Sequence, residues 1–200
     1  MIRLHEFAPS GNCYKVRLLL HQLGVPFERV HVDLRGGEAK GAAFRARFPL
    51  GRVPVVELDG GRVLAESNAI LWHFAEGSAF IPADPVDRAE MLQWMFWEQY
   101  SHEPFVAVVR AWVAFFGVPA GKEAELAERR EKAEVALATM ERHLAGKRFF
   151  VGDRYSLADI ALYAYTHVAP DGGLALDALP GVRAWIARVQ AEPRHLAITD

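Results

Sequence analysis

Apolar and polar positions alternate with period two over Ile2–Phe7 (IRLHEF) and again over Phe27–Leu34 (FERVHVDL), which predicts two strands. Between them Val16, Leu19, Leu20 and Leu23 recur three and four residues apart. That spacing predicts a helix over Asn12–Leu23, stopped by Gly24. Ala39–Phe48 is weakly helical in period. Two β-rich runs, VPVVEL and RVLAES, then flank Asp59-Gly60-Gly61, a strong hairpin signal. Ser67–Glu76 returns to the helical period. The order β-α-β-α-β-β-α predicts a small mixed sheet with helices on its faces.

The pattern changes at Phe80–Pro85 (FIPADP), where two prolines oppose helix continuation. Every later apolar pattern is helical. Val86–Phe116 reads as one long aromatic-rich helix kinked or split at Pro104. Lys122–Ala145, Leu157–His167 and Leu179–Ala191 read as three more helices. The predicted organisation is an α/β domain over residues 1–78, a linker over 79–85 and an all-α helical domain over 86–200.

Composition narrows the function classes. A chain of 200 residues with 52% apolar content can bury a substantial core. A net charge of -2 gives no general attraction to nucleic acid or to anionic lipid. A single cysteine excludes an internal disulfide framework and a zinc site built on paired cysteines. No apolar run approaches the roughly 18 residues of a membrane span, and MIRLHEF lacks the long apolar stretch expected of a signal peptide. The eight histidines show no metal-ligand spacing, so no metal is expected. A soluble cytoplasmic protein is the expectation.

Three short motifs stand out. Val53-Pro54 opens a strand: a trans bond there marks an edge, whereas a cis bond would expose the Val53 backbone to an extended peptide. Glu66-Ser67 stands at a helix start, where Ser67 serves either as an N-cap or, with the exposed amides, as a seat for a carboxylate. Glu66 could then hold the ammonium of the same ligand. Tyr155-Ser156-Leu157-Ala158-Asp159-Ile160 carries a capping box, Ser156 with Asp159, and the positions of a hydrophobic staple. That segment reads as folding machinery.

Taken in order along the chain, these motifs resemble the cytosolic glutathione transferases, with a thioredoxin-like N-terminal domain and a helical C-terminal one. The resemblance implies a cis Val53-Pro54 bond and glutathione contacts from Val53, Pro54, Glu66 and Ser67, with Arg52 facing the glycyl carboxylate. Glutathione enters as co-substrate, and no bound cofactor is implied. One departure is Phe48-Pro49, where relatives usually carry asparagine before the proline.

Ser10-Gly11-Asn12-Cys13 opens the first helix and resembles the serine-using theta-, zeta- and delta-like classes. A free thiol with a pKa of about 8.5 is only about 3% ionised at pH 7. A hydroxyl donor at a helix N-terminus favours the thiolate, which is the nucleophile. The resemblance assigns that donor role to Ser10, with Asn12 as a second donor, while a plain N-cap is the alternative for Ser10. Cys13, one turn inside the helix, reads as a small buried hydrophobe, with a redox role as the alternative.

A hydrophobic electrophile is expected between the domains, against His102, Phe105 and Val109. His102 beside Glu103 reads either as an acid–base pair or as a histidine on a surface turn. The implied protein is a homodimer, with Ala65–Phe74 and Met91–Tyr100 at the two-fold axis, acting in detoxification. Glutathione-dependent disulfide reduction, isomerisation and a noncatalytic regulatory role are the alternative functions.

Overall fold

A computed structural model describes all 200 residues. It divides into one compact unit of Met1–Ser78 with Pro193–Asp200, and a second of Ala79–Glu192. The last eight residues, expected in the helical domain, therefore pack with the α/β unit.

In the first unit, β1 (Ile2–Glu6) lies parallel to β2 (Phe27–His31) and antiparallel to β3 (Val55–Glu57). β3 pairs antiparallel with β4 (Val63–Ala65), giving the order β2-β1-β3-β4. Helices α1 (Gly11–Leu23), α2 (Ala42–Arg47) and α3 (Ser67–Ala75) complete the predicted β-α-β-α-β-β-α succession. The hairpin turns at Asp59-Gly60-Gly61, with both glycines at positive φ, 88° and 82°.

β3 shows how period two builds two cores. Val56 faces Leu4, Val16, Leu20 and Ile70, the cluster that takes in α1 and α3. Its neighbour Val55 points to the opposite face, against Val32, Ala39, Phe44 and Phe48. Phe48 belongs to this second cluster, 3% exposed and edge-on to Phe44. The residue that departs from the usual asparagine is thus a core residue.

Two segments are shorter than their periodicity predicts. β2 ends at His31 because Asp33 and Glu38 satisfy the backbone of a polar turn: Glu38 Oε2 accepts from Asp33 N, and Asp33 Oδ1 from Gly36 N. The weak Ala39–Phe48 pattern resolves into a single 3₁₀ turn, Glu38–Lys40, followed by α2.

The second unit is helical. The predicted Val86–Phe116 helix runs as α4 (Pro85–Trp97), a π-helical turn (Glu98–His102), α5 (Glu103–Arg110) and a second π-helical segment (Ala111–Phe116). Pro104 lacks an N–H and crowds the preceding turn, and the wider turn takes up that defect. Glu103 N accordingly donates to Glu98 O, five residues back. Then come α6 (Glu123–His143), α7 (Leu157–Thr166) and α8 (Pro180–Gln190).

The capping box of α7 is present, and its Asp159 does more than cap. Fully buried, its carboxylate accepts from Ser156 N, Phe150 N and Trp185 Nε1 at 2.9, 3.1 and 2.9 Å. Burial nevertheless outweighs these donors and pushes the Asp159 pKa up to about 6. No helix of the chain is long and apolar enough to cross a membrane.

Candidate active site

The sheet register gathers the α/β motifs at one end. β1 pairs His5 with Val55 and β3 pairs Val55 with Ala65. The turn after β1, the Val53-Pro54 bond before β3 and Glu66-Ser67 after β4 therefore share one edge. Each motif lies more than ten residues from the next along the chain. Strand pairing alone brings them together.

Ser10 is the N-cap of α1, in extended conformation, and its Oγ accepts from Cys13 N at 3.3 Å. This bond uses a lone pair of the hydroxyl oxygen, and the same side chain also hydrogen-bonds the Cys13 thiol. The first turn of α1 itself holds no acidic residue. Ser10 and Asn12 are half-buried at this turn.

Cys13 is fully buried, and desolvation pushes its thiol up to about 12. A thiol held so far above neutrality stays protonated. Its reading as a small core residue agrees with this environment.

Val53-Pro54 is a cis bond. Val53 is half-buried, packed on the Val55 cluster together with Ala65, while Arg52 beside it is exposed. Glu66 is exposed and holds φ 66°, ψ 111°, a backbone region that residues with a side chain rarely occupy. Such a conformation costs roughly 1–3 kcal/mol and gathers at ligand-binding positions.

The N-cap assignment within this motif is corrected. Glu66, not Ser67, is the N-cap of α3, and its side chain makes no capping bond. Ser67 is the first helical residue, buried, and its Oγ donates to Asn12 Oδ1 at 3.1 Å. Asn12 thus ties α1 to α3, a relationship that spacing along the chain could not show.

Within the helical unit, His102 is not on a surface turn. It is fully buried, and its Nε2 donates to Thr166 Oγ1 at 3.0 Å, while that hydroxyl donates to Leu162 O at 2.7 Å. Val109 is equally buried. Of the three residues expected to meet an electrophile, only Phe105 keeps exposed surface, where it lines a groove of about 410 Å³ with Trp97, Ser101 and Thr139. Lys132 Nζ lies 5.4 Å above its ring. His102 and Val109 are core.

Residues 9–76 match the glutathione S-transferase N-terminal domain, and residues 96–193 match the C-terminal domain of the same family. The chain belongs to the glutathione S-transferase family. A crystal structure of a glutathione S-transferase from Pseudomonas fluorescens superposes with a TM-score of 0.96 at 46% identity, covering 100% of this chain and 99% of that one. Glutathione S-transferase 3 of Zea mays is 31% identical over 96% of this chain and 90% of its own length. The disulfide-bond oxidoreductase YfcG of Escherichia coli is 29% identical over 96% of this chain and 92% of its own length. Family membership thus spans more than one named activity.

The residues that sequence reasoning missed are Tyr14, Arg17 and His21 on α1 and the main chain of residues 194–200. Tyr14 Oη donates to Leu196 O at 2.6 Å, Arg17 Nη2 to Ile198 O at 2.7 Å and His21 Nδ1 to Arg194 O at 2.8 Å. The acceptors are backbone carbonyls more than 170 residues away. Nothing in a side-chain pattern announces them.

Proposed function

We propose that this protein binds glutathione at the α/β edge, stabilises it as the thiolate and transfers it to a hydrophobic electrophile. Glutathione's sulfur takes the Ser10 hydroxyl as donor, in the manner of the serine-using classes. The Val53 backbone pairs with the cysteinyl unit, Glu66 with the γ-glutamyl ammonium and the Ser67 turn with its carboxylate. Arg52 reaches the glycyl carboxylate. The observation that supports this reading is the place of Ser10: it caps an acid-free helix start at the same end of the sheet as the cis Val53-Pro54 bond and Glu66.

Asn12, expected as a second donor, has a further part through its carbonyl oxygen. With its Oδ1 engaged by Ser67, it braces the γ-glutamyl seat. The conjugation step itself is simple. The thiolate attacks the electrophilic carbon, the leaving group departs with the bonding pair, and the thiol proton has already passed to solvent.

The likeness to YfcG supports a second reading, reduction of a disulfide. There the bound thiolate attacks one sulfur to form a mixed disulfide and expels the other as a thiolate. A second glutathione thiolate then attacks the glutathione sulfur of that mixed disulfide, giving glutathione disulfide and releasing the remaining substrate sulfur. Both expelled thiolates take protons from water. Cys13 has no part in this, because its buried thiol stays protonated. Both readings use the same activated sulfur.

We also read the protein as a cytoplasmic homodimer with a detoxifying role. Phe96 and Tyr100, one helical turn apart and 70% and 84% exposed, form an apolar face suited to a symmetric partner. Light scattering after size exclusion tests the dimer.

The decisive measurement of function is the rate of glutathione conjugation to an activated aryl chloride, set beside glutathione-dependent reduction of a small disulfide. Conjugation above the uncatalysed rate supports the first reading, and reduction alone supports the second. Failure to bind glutathione even at millimolar ligand rejects both.

A further inference from the structure

The strap of residues Pro193–Asp200 returns from the helical unit's last helix to pack with the α/β unit. It is held almost entirely through main-chain carbonyls. Tyr14, Arg17 and His21 stand three and four residues apart on α1, so they present one face of that helix to it. Arg29 extends the row by donating from Nη1 to Asp200 O at 2.6 Å.

Arg17, fully buried like Tyr14, differs from the other three in that its guanidinium serves three partners at once. Nη2 donates to Ile198 O of the strap at 2.7 Å. Nη1 donates to Glu6 Oε2, at the end of β1, at 2.9 Å, and to Ala8 O at 3.2 Å. Glu6 is further paired with Arg29, and His195 Nε2 lies 3.3 Å from Tyr14 Oη. Ala8 lies in the turn that ends at Ser10, a turn closed by the bond from Ser10 N to Phe7 O at 2.8 Å. One planar fork therefore connects the far end of the chain to the turn that sets the Ser10 hydroxyl.

From this geometry we propose that Arg17 is a positioning residue for glutathione activation, and that the strap acts through it to fix the Ser10 turn. The inference rests on the function proposed above. A donor stabilises a developing or full anion only when held within about 2.7–3.1 Å of it. Arg17 Nε has no partner, but Glu6, Ala8 and Ile198 hold its two Nη groups and so leave the buried guanidinium few arrangements. Arg17 thus converts the strap's position into a fixed distance at Ser10. Lysine carries the charge but not the fork, so it cannot hold Ala8 O and Ile198 O together.

The test uses the full chain and the ultraviolet absorption of bound glutathione thiolate, titrated against pH. In the unsubstituted protein the thiol ionises below its free value. Arg17→Lys is expected to raise the apparent ionisation midpoint by about one pH unit, a tenfold loss of thiolate at a fixed pH below it. Conjugation at neutral pH falls in parallel and recovers at higher pH. Tyr14→Phe, which removes the bond to Leu196 O, is expected to shift the midpoint the same way by a smaller amount. If Arg17→Lys does not fold, Tyr14→Phe alone gives the answer.

A lower melting temperature with an unmoved midpoint would make Arg17 merely structural and overturn the inference while leaving the proposed function standing. Absence of thiolate in the unsubstituted protein would reject the proposed function, and this inference with it.

Discussion

The Ser67 hydroxyl donates to Asn12 Oδ1 across 3.1 Å, joining the first turns of α3 and α1 although the two residues are 55 positions apart. Both helices point their N-termini at the same edge of the sheet. One side-chain bond thus holds the two helix starts in fixed relation.

Asn12→Ala breaks that brace. A net hydrogen bond of this kind contributes about 1 kcal/mol, so glutathione affinity should fall by about fivefold. Calorimetric titration of the variant checks it. Undiminished affinity would show that Ser67 needs no such support.

Ser10→Ala removes both the cap and the donor. Stability should fall by about 1 kcal/mol from the lost cap. The conjugation rate should fall by about 10²-fold or more if the hydroxyl stabilises the thiolate. Ser10→Gly separates the two effects, since glycine is a tolerable N-cap and donates nothing from a side chain. A variant with full activity takes Ser10 out of the mechanism.

Glu66→Gly should act in opposite directions on fold and ligand. Glycine adopts φ 66° without steric cost, so the melting temperature is expected to rise or hold. Loss of the carboxylate should weaken glutathione binding. A fall in both stability and affinity would mean that the Glu66 backbone carries no strain.

Cys13 should resist a maleimide reagent in the native protein at pH 8, because its thiol is buried and displaced to about 12. Labelling should become complete only in denaturant. Rapid native labelling would contradict the burial seen here and reopen a redox role.

Asp159 sets an acid-side pH dependence. Its folded pKa, about 6, exceeds its ordinary value of 3.8, so the folded state binds the proton more tightly than the unfolded state does. The stability it contributes is complete below about pH 4 and declines as pH rises through 6. Denaturant titrations of the wild type and Asp159→Asn across that range should differ in slope, with the variant flatter and less stable throughout. Parallel pH profiles would assign the dependence to other groups.

Much of the fold was legible because local chemistry settles it. Gly24 ends α1 at φ 71°, the hairpin turns on its glycines, and Ser156 with Asp159 opens α7, all as the residue types require. The long aromatic helix was legible in extent but not in form, since periodicity cannot distinguish α from π turns around Pro104. For the site, the motifs were readable and their partners were not. Ser67 looks like an N-cap to any local rule, yet its hydroxyl goes to Asn12. His102 beside Glu103 looks like a surface pair, yet α7 closes over it with Thr166.

By itself, the sequence determined the strands, the helices, their order and the positions of the serine, proline and glutamate motifs. These depend on interactions within a few residues. Tertiary structure decided what those residues face: the common sheet edge, the bond between Asn12 and Ser67, the burial of Cys13 and His102, and the strap seated on Arg17. Such pairings join groups separated by tens to hundreds of positions, and several use backbone carbonyls that every residue carries. Only the closed packing of the chain selects which of these identical acceptors a given side chain meets.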